Sequence, residues 1–405
     1  MKYMVEKKRV VIIAHFCDYA MENTNNRFNY LATLLYKKGY EVELITSSFS
    51  HRDKRQRTQI KNKKTYKMTL IYESPYKRNV SLKRLCVSHK IFSKNLERYL
   101  HKMKKPDLIY CAFPSIDAAE CASRYANKNS VPFVLDIQDL WPEAFRMAFN
   151  VPVISNLLFR PMNKKADRIY NRADEIIAVS QSYVDRAVSV SKKVTEGHAI
   201  YLGTDLEEFD DFAKKDTIDL PYKGNDEKWI AYCGTLGKSY DLCSVIDALA
   251  LLKNKSLKLV VMGDGPRRKE FEQYAIKKKI NCMFMGKLAY SEMCGVLKVC
   301  DITVNPIVGK SVASIINKHA DYAASGLPVV NTQNSLEYRQ LIKEYKMGVN
   351  CLNGDAMDIA LKINGLVEDD SQCIVMGKNA RKCAEEKFNR KDTYQEIIKI
   401  IEKHL

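Results

Sequence analysis

The 405-residue sequence predicts an α/β protein of two doubly wound, parallel-sheet domains. Three observations predict it. Short apolar runs of strand character alternate with amphipathic helical stretches along nearly the whole chain. The plan strand, turn, helix, strand begins twice, about 220 residues apart, a spacing that suits domains of roughly 100–200 residues. Between the two starts, residues 205–227 are rich in Asp, Lys, Gly and Pro and carry no strand signal.

In the first half, Lys8–Ala14 reads as a buried strand, followed by an amphipathic helix over Arg27–Lys38 with Phe28, Leu31, Leu34 and Leu35 on one face. Gly39 stops that helix, and Tyr40–Thr46 is the next strand. Asp107–Cys111, Pro132–Asp136, Glu175–Val179 and His198–Leu202 continue the series. The second half opens on Lys228–Cys233, with a helix over Asp241–Lys253 and strands at Leu257–Met262, Cys282–Met285, Asp301–Asn305 and Pro328–Asn331. The domains are therefore placed at 1–205 and 228–385, with a linker at 206–227 and a C-terminal helix at 386–405 that can cross back to the first domain. Facing doubly wound domains bind ligands at the carboxyl ends of their strands, in the cleft between them.

Composition narrows the class. With 46% hydrophobic and 28% charged residues the chain is neither disordered nor fibrous. The longest apolar run, around Val10–Ala14, falls far short of the ~18–20 residues of a membrane span, and residues 1–9 carry no signal-peptide core. Twelve cysteines without a Cys-x-x-Cys indicate neither a zinc site nor a disulfide framework. A cytoplasmic location is expected. The net charge of +18 is uneven, because residues 51–105 hold 18 Lys/Arg against three acids. A local basic surface implies a local anionic partner.

The most specific segment runs from Ser311 to Val330. It reads as a helix N-terminus capped by Ser314, a helix through Tyr322 and Ala324, a stop at Gly326, and a strand opened by Pro328. Free N–H groups at such an N-terminus can hold a diphosphate. Lys318 adds a point charge one turn in, and Asp321 can accept hydrogen bonds from both hydroxyls of a ribose. An ordinary crossover helix with both side chains solvated is the plain alternative.

This stretch resembles the donor-binding helix of retaining GT-B glycosyltransferases that build capsule, O-antigen and exopolysaccharide (group 1, family 4-like). Their Ser-x-Pro-x-Lys-x-x-Glu-Tyr-x-Ala-x-Gly-x-Pro-Val pattern reads here from Ser314 to Val329. Asp136-Ile-Gln-Asp139-Leu-Trp-Pro-Glu143 is similar to their Asp-Leu-Trp-Pro-Glu element. Ala173–Ser180, Leu202–Asp205, Gly234-Thr-Leu-Gly237, Gly263-Asp-Gly-Pro266 and Phe284-Met-Gly286 follow in the same order, so the resemblance covers nearly the whole chain.

The resemblance implies a GT-B fold and transfer of a sugar, with retention, from a UDP- or GDP-sugar to a lipid-linked saccharide. It implies no nucleic acid partner, no cofactor beyond the nucleotide sugar, and no strict need for a metal. Lys318 and Asp139 become the catalytic candidates. Gly234, Thr235, Lys238, Gly263, Gly286, Ser314, Ile315, Ile316, Asn317 and Asp321 become donor-binding candidates, with His15 and Arg27 towards the acceptor. Five features depart from the pattern, the first being that Asp18–Asn26 stand where paired glycines are expected after the first strand. Asp321 replaces Glu, Ala313 stands where a second Glu contacts the donor sugar, Thr235 replaces a phosphate-binding Arg, and Ile316 replaces Pro. Ala313 points to a deoxy or N-acetylated amino sugar. A silent sugar-nucleotide-binding protein, a GT-B epimerase and a nucleic-acid binder are the competing readings.

The basic segment has its own pattern. Over 81–105, apolar residues recur at helical spacing between Lys83, Arg84, Lys90 and Lys94. Such a helix suits an anionic inner-leaflet surface, with Leu82, Leu85, Phe92 and Leu96 available to insert. The competing reading packs that apolar face on its own sheet.

Overall fold

A computed structural model describes residues 7–18, 26–58, 66–77, 81, 83–146, 152–215, 218–309 and 314–405. Contacts divide the chain into two compact units, one of residues 1–200 and 394–405 and one of residues 201–393. Each is built on a parallel sheet.

The first unit holds β1 (Arg9–Ile13), β2 (Glu41–Ser47), β3 (Lys67–Ile71), β4 (Leu108–Phe113), β5 (Phe133–Ile137), β6 (Glu175–Ala178) and β7 (His198–Ala199), in the order 3-2-1-4-5-6-7. β1, β4, β5 and β6 are buried along their whole length, as expected of strands covered by helices on both faces. The helix Arg27–Lys37 is capped by Asn26, whose side chain accepts from the N–H groups of Phe28 and Asn29. It ends at Gly39, which takes the left-handed conformation (φ 97°) that a β-carbon disfavours. The C-terminal helix Arg390–Glu402 sends Ile397, Ile398 and Ile401 into the same core as Val10, Ile12 and Leu31.

The second unit holds β8 (Lys228–Cys233), β9 (Leu257–Met262), β10 (Cys282–Gly286), β11 (Ile302–Asn305), β12 (Val329–Asn331) and β13 (Gly348–Asn350), in the order 10-9-8-11-12-13. Strand order reverses between β8 and β11 here, and between β1 and β4 in the first unit. At such points the connections leave the carboxyl ends in opposite directions and open a crevice.

Three expectations are corrected. Residues 206–227 are not all linker: Leu206–Ala213 is a helix capped by Asp205, and its Leu206 and Phe209 are buried in the core of the second unit. The basic segment also contains an unforeseen strand, β3. Beyond it, a π-helical turn at Arg84–Ser88 leads into the helix His89–Lys102, whose Phe92, Leu96 and Leu100 are fully buried. Phe92 and Leu96 are therefore core residues and cannot insert into a bilayer. Arg84, expected on the membrane face, is 6% exposed, with its guanidinium over the rings of Phe16 (4.8 Å), Trp141 (5.1 Å) and Tyr76 (5.5 Å). Burial pulls its pKa down, partly offset by Tyr76 and Glu73. Lys83, Lys90 and Lys94 are exposed. Leu82, part of the polybasic stretch (residues 59–65) and Ala313 lie outside the described residues.

Candidate functional site

The chemistry gathers at the switch point of the second unit. β8 ends in Gly234, at φ 138°, and β9 in Gly263, at φ 154°. A β-carbon on Gly263 would lie 1.8 Å from the Gly234 carbonyl oxygen, so these two turns touch backbone to backbone and only glycine fits. Gly286 (φ 73°) closes β10, and the guanidinium of Arg268 lies 3.1 Å from where a β-carbon on it would sit.

Facing these turns is the helix Asn317–Ala324. Tyr322 fixes it: its hydroxyl donates to the Val304 carbonyl (3.1 Å) and accepts from the Cys233 N–H (2.8 Å), joining the helix to β11 and β8. The helix starts later than the sequence suggests, and Ser314 does not cap it. The Ser314 hydroxyl instead donates to Glu337 (3.0 Å). The capping position is Ile316, whose side chain accepts nothing; His319 Nδ1 accepts from the Ile316 N–H instead, at 3.3 Å. His319 is fully buried, stacked on Tyr338 at 3.5 Å and bonded to Asn305 (3.2 Å), and burial drives its pKa well below the usual range. Among the described residues nothing accepts from the N–H groups of Asn317 and Lys318, as is normal for a first helical turn.

Lys318 is the outstanding group. It is 7% exposed, and its ammonium has no hydrogen-bond partner among the described residues. Nζ lies 4.2 Å from the ring centroids of both Tyr232 and Tyr240, and 3.0 Å from where a β-carbon on Gly234 would stand. Burial lowers its pKa from 10.5 to about 7, with the Cys233 thiol opposing. A buried, unpaired cation beside glycine turns and free helix N–H groups is the complement of an anion.

Asp321, one turn on, is 8% exposed and accepts a hydrogen bond from Tyr290 at 2.8 Å; that hydroxyl also meets Thr204 Oγ1 at 2.6 Å. Burial raises the Asp321 pKa to about 6, against the lowering effects of Tyr290 and Arg390. Thr235 and Lys238 are exposed, as is Asn317, and Ile316 is half-buried. Ile315, expected at the donor, points its side chain into the hydrophobic core, so only its backbone is available to a ligand. Tyr232, Tyr240 and Tyr290 were not foreseen; aromatic residues at such spacings carry no signal of their own in a sequence rich in tyrosine.

The sequence candidates of the first unit fare differently. Asp139 is half-buried and accepts from the Trp141 indole at 3.1 Å; burial raises its pKa, with Trp141 and the Leu140 N–H pulling the other way. Arg27, expected towards the acceptor, is locked in the core. It donates to both oxygens of Asp136 (2.7 and 3.2 Å) and to the Ile200 carbonyl. His15 is 1% exposed, with Ser115 Oγ on Nδ1 (2.7 Å), Glu73 on Nε2 (2.9 Å), and its ring stacked 3.8 Å from Phe92. Both ring nitrogens are already engaged, so His15 is a packing residue rather than a free acceptor contact. Among the described residues no group of three or more His, Cys, Asp or Glu could hold a metal ion.

Comparisons with known proteins bear on this arrangement. The model of Glycosyltransferase Family 4 matches residues 24–208, and that of Glycosyl transferases group 1 matches residues 220–383. No curated protein matches the sequence. Among solved structures, sucrose-phosphate synthase from Thermosynechococcus elongatus aligns with a TM-score of 0.75 at 16% identity, over 98% of this chain and 99% of that one. HepE of Anabaena in complex with UDP-glucose gives 0.67 at 16% identity, over 98% and 99%. WaaG, a glycosyltransferase involved in lipopolysaccharide biosynthesis, gives 0.65 at 14%, over 95% and 99%. Identities this low speak for the fold, and the two matched domains speak for the activity. Two parallel-sheet units, each matched by a glycosyltransferase domain, make this chain a GT-B glycosyltransferase.

Proposed function

We propose that the enzyme transfers a sugar, with retention, from a UDP- or GDP-sugar to a lipid-linked saccharide in the assembly of a surface polysaccharide. The observation that carries the donor side is the unpaired, buried Lys318 ammonium among the Gly234 and Gly263 turns and the first turn of the helix Asn317–Ala324. HepE, of similar fold, is solved with UDP-glucose. In this reading the diphosphate takes the place facing Lys318 and the free N–H groups, and Asp321 accepts from the ribose.

The chemistry then needs little covalent help. The bond between the anomeric carbon and the diphosphate oxygen breaks while Lys318 and the N–H dipoles meet the charge that develops on that oxygen. The acceptor hydroxyl attacks from the same face, and its proton passes to the departing phosphate oxygen. Lys318→Ala should therefore cut turnover strongly, while Asp321→Ala should chiefly weaken donor binding. Loss of a charge-assisted hydrogen bond corresponds to about 1.5–3 kcal/mol, roughly 10–150-fold. The test is nucleotide-sugar hydrolysis and UDP or GDP binding in both variants. Wild-type values in both would refute the assignment.

The acceptor side rests on charge. Lys83, Lys90, Lys94 and Arg98 are exposed on one stretch of the first unit, where each cation near an anionic bilayer contributes about 1 kcal/mol. With Phe92 and Leu96 buried, attachment is electrostatic and peripheral, at the inner face of the plasma membrane. WaaG acts in lipopolysaccharide biosynthesis, a role of the same kind.

A further inference from the structure

The ammonium of Lys318 is nearly out of water and has no hydrogen-bond acceptor, carboxylate or other, against it among the described residues. Two rings are its surroundings instead. Tyr232 and Tyr240 stand at 73° to each other with centroids 5.9 Å apart, and Nζ lies 4.2 Å from each centroid. Each presents the negative part of its π-system to a cation at contact range. The Tyr232 ring and the Tyr240 backbone are held independently of the lysine. The Tyr232 hydroxyl donates to the Thr235 carbonyl at 2.9 Å, and Tyr240 bridges to Ile307 through its backbone.

We propose that Tyr232 and Tyr240 form an aromatic clamp that favours the charged form of Lys318 and keeps it aimed at the Gly234 turn until a nucleoside diphosphate supplies the counter-charge. This rests on the donor reading above and adds two positioning residues to it. The physical need is plain. A carboxylate beside Lys318 would keep it charged too, but would repel the diphosphate and have to be displaced. A ring face stabilises the cation without carrying net charge, so the site stays positive. The absence of an Arg at Thr235 makes that the more consequential, since Lys318 is then the buried cation of this turn. The other ionisable groups around it are the Cys233 thiol on β8, and His319 and Asp321 on its own helix. The thiol and imidazole are held neutral by burial, and Asp321 is engaged by Tyr290.

The test uses Tyr240, which is only half-buried. Removing one ring should lower the pH at which Lys318 half-titrates by about 0.4–1.5. Tyr240→Leu should then weaken UDP and GDP binding about twofold at pH 6 and about tenfold at pH 8.5, because only the charged form binds. Tyr240→Phe keeps the ring and should match the wild type at both pH values. A direct measurement needs no variant to fold: the side-chain methylene protons next to Nζ in wild-type Lys318 should be shifted upfield by the two rings. Equal losses at both pH values, Phe behaving like Leu, or an unshifted Lys318 resonance would each overturn the clamp. Failure of the donor reading looks different. There, Lys318→Ala leaves UDP and GDP affinity unchanged at every pH, while the resonance still reports on the clamp.

Discussion

Replacing Lys318 by methionine should make the ligand-free protein more stable and the enzyme worse. The two side chains have similar length and volume, so the change removes the charge and little else. Burial lowers the Lys318 pKa from 10.5 to about 7. At roughly 1.36 kcal/mol per pH unit this amounts to about 4–5 kcal/mol spent on holding the charged form inside. The sign follows from proton linkage. Below pH 7 folded and unfolded chains both hold the proton, and the whole cost is carried. As pH rises from 7 towards 10.5, the folded chain releases a proton that the unfolded chain keeps, so stability increases. The variant lacks that dependence. Its advantage over the wild type should be largest at pH 6 and shrink by about 2–3 kcal/mol at pH 9. Each unit contains one of the two tryptophans, so a Trp141→Phe background lets Trp229 on β8 report urea unfolding of the second unit alone. The same variant should lose the stabilisation that UDP or GDP gives the wild type, about 2.7 kcal/mol at a hundredfold excess over Kd. A stability gap that stays constant between pH 6 and 9 would show that Lys318 is not a buried, unpaired charge, and the argument for its role would go with it.

Other expectations are as specific. Gly263→Ala drives a methyl to 1.8 Å from the Gly234 carbonyl and should cost about 2–4 kcal/mol in urea unfolding. Gly234→Ala puts a β-carbon at φ 138°, 3.0 Å from Lys318 Nζ and 3.4 Å from the Tyr232 hydroxyl, so it should cost both stability, by about 1–3 kcal/mol, and nucleotide affinity. Arg27→Ala strands the buried Asp136 and should destabilise the first unit by about 3–5 kcal/mol without changing UDP affinity. Lys83→Glu, Lys90→Glu and Lys94→Glu together should abolish salt-sensitive binding to anionic vesicles while leaving nucleotide binding intact; unchanged vesicle binding would make that helix ordinary scaffold.

The sheets could be read from the sequence because parallel strands covered on both faces are continuous apolar runs, as in Val10–Ile13 and Leu259–Met262. β3 escaped because Lys67–Ile71 follows a run of lysines and sits at the edge, where only alternate residues need be apolar. β13 is three residues long and half-buried. Lys318, Asp321 and the glycine turns could be read because spacing along one helix and one turn is local information. The two tyrosines around Lys318, and Tyr290 on Asp321, come from separate elements about 30 to 90 residues away. No period in the chain announces such meetings. Arg27 and Arg84 were misplaced for a related reason. A basic residue is assigned to the surface by default, and only the structure reveals Asp136 beside one and three rings beside the other.

The two switch points share a topology and differ in how their polar groups are satisfied. In the first unit, His15 stands two residues past the end of β1, and its imidazole is bonded at both nitrogens. Its partners Ser115 and Glu73 come from the end of β4 and from just past β3, and Ser47 at the end of β2 donates to Glu73 at 2.6 Å. That network joins four strand ends, and its one loose end is an oxygen of Glu73. It is what a folded chain does with buried polar groups when nothing else is asked of them. In the second unit, β8 ends in a glycine turn, and the buried group over it is an amine with no hydrogen-bond partner among the described residues, set against two ring faces. Leaving its charged form unpaired costs more than any neighbouring contact returns, and a carboxylate in place of either ring would remove most of the cost. A site that keeps the charge and omits the carboxylate is arranged for a partner that arrives from outside and is itself an anion.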